Sequence, residues 1–104
     1  MPVYNWSFDT RRTPRALYKE ARAQIKAREK ERSDFIGKHG WEGAPDLPPW
    51  SPAQCVWQCR VSDPRMANAW TWGASTEHAA MNNAIRGMLR LYREMELTYW
   101  APDS

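Results

Sequence analysis

Aliphatic side chains are scarce in this chain of 104 residues: Leu, Ile, Val and Phe together number only 13. By that measure alone the chain would fall among disordered sequences. Two features oppose this. The net charge is only +3, and seven Trp and four Tyr supply large apolar area. The expectation is a folded core anchored on indole rings, with one or more Trp left over at a partner surface. Two cysteines are too few for a disulfide-stapled secreted scaffold. There is no apolar run long enough for a membrane span and no apolar signal core, so a cytoplasmic protein is expected. Glycine-rich phosphate loops, paired glycosidase-type carboxylates and recognisable triads are all missing. His39, Glu42 and Asp46 are neighbours only in sequence. A non-enzyme without a cofactor is therefore expected.

The length suits one small α+β domain over residues 1–104, with a folded surface of about 6,000 Å². Residues 1–12 read as an N-terminal arm. Tyr4, Trp6 and Phe8 share a face if that arm is extended, which would let Tyr4–Phe8 add a third strand to a sheet.

A helix is expected from Arg15 to about Phe35, with Thr13 as N-cap, Pro14 at the first position and Gly37 as terminator. Its apolar stripe is thin: Leu17 or Tyr18, Ala21 and Ile25, then Arg28 and Arg32 before Ile36. Arg15, Lys19, Arg22, Lys26 and Lys30 recur every three or four residues and form one ridge, with Arg28 and Arg32 as a second basic pair. Residues 11–32 hold nine Lys or Arg against three Glu, whereas residues 51–104 balance to zero. Like-charged neighbours such as Arg15–Lys19, Arg22–Lys26 and Lys26–Lys30 each cost about 0.2–0.5 kcal/mol in an isolated helix, with opposite-charge relief expected mainly from Lys26–Glu29, Arg28–Glu31 and Lys30–Asp34. A polyanion would cancel that repulsion and release counterions. The plain alternative is a solvated charged face.

Residues 37–53 contain three Gly and four Pro, which excludes regular structure. Trp41, Leu47 and Trp50 point to a strap packed over the sheet, with Pro49 and Pro52 also giving a PxxP spacing.

Residues 54–61 alternate as a strand, with Cys55, Trp57, Cys59 and Val61 on the inward face. Ser62, Asp63 and Pro64 make a turn. A second strand from Met66 or Ala67 to Trp72 completes an antiparallel hairpin, ended by Gly73. Four residues along a strand is about 13 Å, too far for Cys55 and Cys59 to share a disulfide or a metal. A Cys2His2 set with His39 and His78, or a Cys–His nucleophile pair, is thus disfavoured. Reduced core thiols are expected and no metal is assigned.

Ser75 or Thr76 can cap a long C-terminal amphipathic helix running to about Leu97. Its stripe is Met81, Ile85, Met88, Tyr92, Met95 and Tyr99, widened by Ala80, Ala84, Leu89 and Leu91. Gly87 suggests close approach by another backbone. Both helices are expected on one face of the sheet, with Trp57 and Trp72 under Met88 and Tyr92. The order strand, Gly73-Ala74-Ser75-Thr76, Ala-rich helix looks like the end of double-stranded-RNA-binding domains. Thr76-Glu77-His78 stands where that family sets paired lysines, so no membership follows and no residue roles are carried over.

The reading expected from sequence is a non-catalytic nucleic-acid-associated protein. DNA or RNA would lie on Arg15, Lys19, Arg22, Lys26, Lys30, Arg28 and Arg32, with Trp41 or Trp50 stacking on bases. One alternative is an interaction or inhibitory module, of a kind a phage or mobile element could encode, docking on an acidic protein surface. Another is a self-assembling homo-oligomeric component.

Overall fold

A computed structural model describes residues 4–94. Strand β1 (Ser7–Arg12) is followed by helix α1 (Arg15–His39), a single helical turn (Pro52–Gln54), strands β2 (Trp57–Ser62) and β3 (Ala69–Ala74), and helix α2 (Glu77–Glu94). The strands form one antiparallel sheet in the order β1-β2-β3. This is an α+β fold in which the arm does supply a third strand. That strand lies later than the aromatic pattern suggests, because pairing runs from Ser7 opposite Ser62 to Arg12 opposite Trp57.

Of the two long helices only α2 packs on the sheet, touching all three strands, while the Pro52–Gln54 turn meets β2 and β3. The buried core is Cys59, Val61, Ala80, Ala84, Met88 and Tyr92, with Trp6, Trp57, Trp70 and Trp72 packed against it. The buried line of α2 keeps Met88 and Tyr92 of the expected stripe, and the indoles explain why its first half is Ala80 and Ala84 in place of Met81 and Ile85. Large rings on the sheet need small residues on the helix, and Met81 is left exposed. Gly87 does mark a close approach, but by a side chain: a Cβ there would lie 2.1 Å from the Trp72 ring. Thr76 is the cap, its Oγ1 accepting from the Ala79 amide at 3.1 Å. The helix end near Leu97, with Met95, Tyr99 and Trp100, lies outside the described residues.

Four further expectations are corrected. Thr13 does not cap α1; the N-cap is Pro14, without a side-chain bond. Thr13 is instead buried and joins the chain before β2, its amide donating to the Val56 carbonyl at 2.8 Å and its hydroxyl to the Cys55 carbonyl. Helix α1 runs through Gly37 and ends at Gly40, which has φ 80° and donates its amide to Ile36 at 2.9 Å. Gly73 lies within β3 and is buried. Cys55 precedes β2, so strand alternation does not govern it. It sits over Gly73, where an added Cβ would come 2.7 Å from the Cys55 Cβ. Because Gly73 points opposite to Trp72 and Ala74, Cys55 covers the face away from α2.

Helix α1 does not share the sheet face with α2. It buries no residue and, among the regular elements, meets only the Pro52–Gln54 turn. The protein measures 63 × 31 × 22 Å, with a radius of gyration of 18.0 Å, against about 13 Å for a compact chain of this length. Its accessible surface, 7693 Å², likewise exceeds the compact expectation.

Candidate nucleic-acid interface

The strap follows α1 for most of its length, and only its end at Pro52–Gln54 reaches the sheet, at β2 and β3. Trp41 and Leu47 line a cleft with Glu29, Arg32, Ser33 and Ile36. Pro48, Pro49, Ser51, Ala53 and Gln54 lie beside Leu17, Glu20, Ala21 and Gln24. Phe35 touches the strap at Gly43, whose φ of 79° suits glycine. The half-buried residues Tyr18, Ala21, Ile25, Arg32, Phe35 and Ile36 form the seam beneath it. A helix this poor in apolar residues therefore has a narrow partner, and its other faces meet water.

The five ridge residues lie on one such face. At about 100° per residue, Arg15, Lys19, Arg22, Lys26 and Lys30 fall within about 80° of one another and run about 22 Å along the axis. All five are exposed, and among the described residues none takes part in an ion pair. Ser33 continues their line. Arg22 also reaches electrostatically toward Cys55: burial raises that thiol above its ordinary range, against the lowering pull of the Arg22 guanidinium.

Arg28 and Arg32 do not join the ridge. Arg28 pairs with Glu31 at 3.1 Å. The Arg32 guanidinium lies 5.6 Å from the Trp41 ring centroid, a cation–π distance. The two strap tryptophans also part company. Trp41, 73% exposed, stands at the cleft containing Ser33, next to the end of the ridge. Trp50, 56% exposed, belongs to the stretch beside Leu17, Glu20 and Gln24, on the side of α1 turned away from the ridge.

Sequence reasoning passed over Arg12. It lines a cleft of about 460 Å³ with Thr13, Arg15, Tyr18 and Val56 at the foot of α1, its guanidinium 5.6 Å from the Trp57 ring centroid. The charge surplus over residues 11–32 was the available signal, but strand β1 had first to bring Arg12 beside Arg15. The open sheet face carries Asp9, Arg11, Gln58, Arg60 and Thr71 around a shallow hollow, and Arg11 is paired with Asp9.

Both cysteines are free thiols, Cys59 buried and Cys55 partly so. Among the described residues no three His, Cys, Asp or Glu side chains gather to hold an ion. None of their helices is long and apolar enough to cross a membrane.

No family model, curated protein or solved structure matches the chain. The ridge and its surroundings are thus the ground for a functional reading.

Proposed function

We propose that the protein is a non-catalytic nucleic-acid-binding protein that engages the phosphate backbone through the ridge of α1. One observation carries this: five exposed cations, none of them in an ion pair among the described residues, lie in a line on a helix that buries nothing. Here like charges face each other, and phosphates would relieve that repulsion while releasing counterions. Backbone contacts of this kind set affinity and not sequence choice.

The test is fluorescence polarisation with labelled single- and double-stranded DNA and RNA over a salt series, beside a Lys19/Arg22/Lys26 triple alanine variant. Binding that weakens steeply with salt and collapses in the variant supports the reading. No binding at low salt, from folded protein, overturns it.

A second reading is docking on an acidic protein surface. It is favoured by the exposed apolar residues Leu17 (52% exposed) on α1 and Leu47 and Trp50 on its strap. In that case the loss on substitution concentrates in one or two residues such as Trp50 rather than spreading along the ridge. A mass that grows with concentration before any partner is added would indicate self-assembly.

A further inference from the structure

We infer that the polyanion on the ridge is a single strand of nucleic acid, and that one of its bases stacks on Trp41 where Arg32 backs the ring. The inference rests on the ridge reading and adds strandedness and a stacking residue to it.

Three observations converge. The first is width. A bare helix is about 10–12 Å across, just enough for a major groove of about 12 Å. The strap lies along α1 from Trp41 to Ser51, and at its Trp41 end it stands beside the ridge line. A duplex groove taking the ridge face would leave Trp41 at its edge, facing paired bases it cannot stack on, whereas a single strand can turn a base onto the ring.

The second is Trp41 itself. Its indole is 73% exposed yet held by the Arg32 guanidinium at 5.6 Å. An indole anchored by a cation and left mostly in solvent is a stacking platform suited to any unpaired base.

The third is charge order. The ridge line itself carries only cations as far as Lys30 and then reaches Ser33 in the Trp41 cleft. Glu29, three residues after Lys26, stands on the flank of the ridge and lines that cleft. A carboxylate repels phosphate but can accept from a base amino group. Phosphates therefore belong on the ridge and a base belongs in the cleft. Trp50, on the far side of α1, has no part in this path.

The experiment uses the full chain and labelled homopolymers of about 12 nucleotides, in DNA and in RNA, with a duplex of equal length. The variants are W41A, W41F and W50A, alongside the ridge triple variant. Trp41 lies outside the core, and circular dichroism confirms the fold of each variant. The expected result is single-strand binding reduced about five-fold or more by W41A, largely kept by W41F and unchanged by W50A, with duplex binding unaffected by W41A. Preference for DNA or for RNA identifies the sugar, and either supports the inference. If W41A leaves single-strand binding intact, or weakens both forms alike, or if duplex is preferred, the inference is overturned while the ridge reading stands. If no nucleic acid binds, both fall.

Discussion

Trp72 lies flat enough against α2 that only a hydrogen at position 87 fits beneath its ring, since a Cβ on Gly87 would come within 2.1 Å of the indole. Gly87→Ala should therefore destabilise the protein by about 1–3 kcal/mol, the cost of overpacking. This holds although alanine is the better helix former by about 1 kcal/mol. The contrast is Gly37, also within a helix, where nothing lies within 4 Å of an added Cβ. Gly37→Ala should stabilise by about 0.5–1 kcal/mol. Urea midpoints for the two variants should move in opposite directions.

Tyr92 joins three distant segments. It accepts from the Trp6 indole N–H at 2.7 Å and donates to the Asp63 carboxylate. Asp63 is only 2% exposed, and its other oxygen accepts from the Arg65 amide at 2.9 Å. Tyr92→Phe removes the donor from a buried carboxylate and should cost about 1–3 kcal/mol. Leu or Ala would add a cavity to that loss, so Phe is the informative change.

Burial, reinforced by the bond to Asp63, holds the Tyr92 hydroxyl well above the ordinary tyrosine range. At high pH the folded protein thus retains a proton that the unfolded chain loses near pH 10. The stabilisation is fully present below that pH and declines as pH rises past it. The raised Cys55 thiol begins the same decline at a lower, thiol-range pH. Denaturation midpoints should fall steadily through this alkaline range, and the fall above pH 10 should be shallower in Tyr92→Phe.

Thr13 fixes the foot of α1 to the body through its amide and hydroxyl. Thr13→Val keeps the shape and the amide bond but leaves the Cys55 carbonyl without its donor. A loss of about 1 kcal/mol is expected. The check is a chemical denaturation curve compared with that of Thr10→Val, whose hydroxyl donates to the Cys59 sulfur at 3.7 Å.

Three alanines on the ridge should change a slope as well as an affinity. For a single strand each lost phosphate contact lowers the logarithmic salt slope by about 0.7. The Lys19/Arg22/Lys26 variant should therefore have a slope shallower by about 2 units, measured over the same salt series.

Local patterns were the legible part of this protein. The hairpin followed from alternation at Trp57, Cys59 and Val61, and the ridge from the spacing of its cations, because a helix with so few apolar residues has one orientation to choose. The Arg28–Glu31 pair was equally local. What escaped was whatever depended on segments meeting. Thr13 carries a good capping side chain, but a carbonyl 42 residues away took it. The strap was expected on the sheet, yet the Tyr18–Ile36 seam was the surface left without a partner once α2 had covered one sheet face. The different positions of Trp41 and Trp50 follow from that path and from nothing in their own neighbourhoods.

A helix with no buried residue, fastened at its foot and flanked by a strap, gives the molecule two tiers of order. Amide protons of β2, the central strand, should escape to solvent only when the whole body opens, and those of α1 through fraying that leaves the body intact, as hydrogen exchange would show. A ligand bridging successive turns of α1 would slow exchange in the arm alone. Binding would then register as order gained in one limb, with the sheet unaware of it.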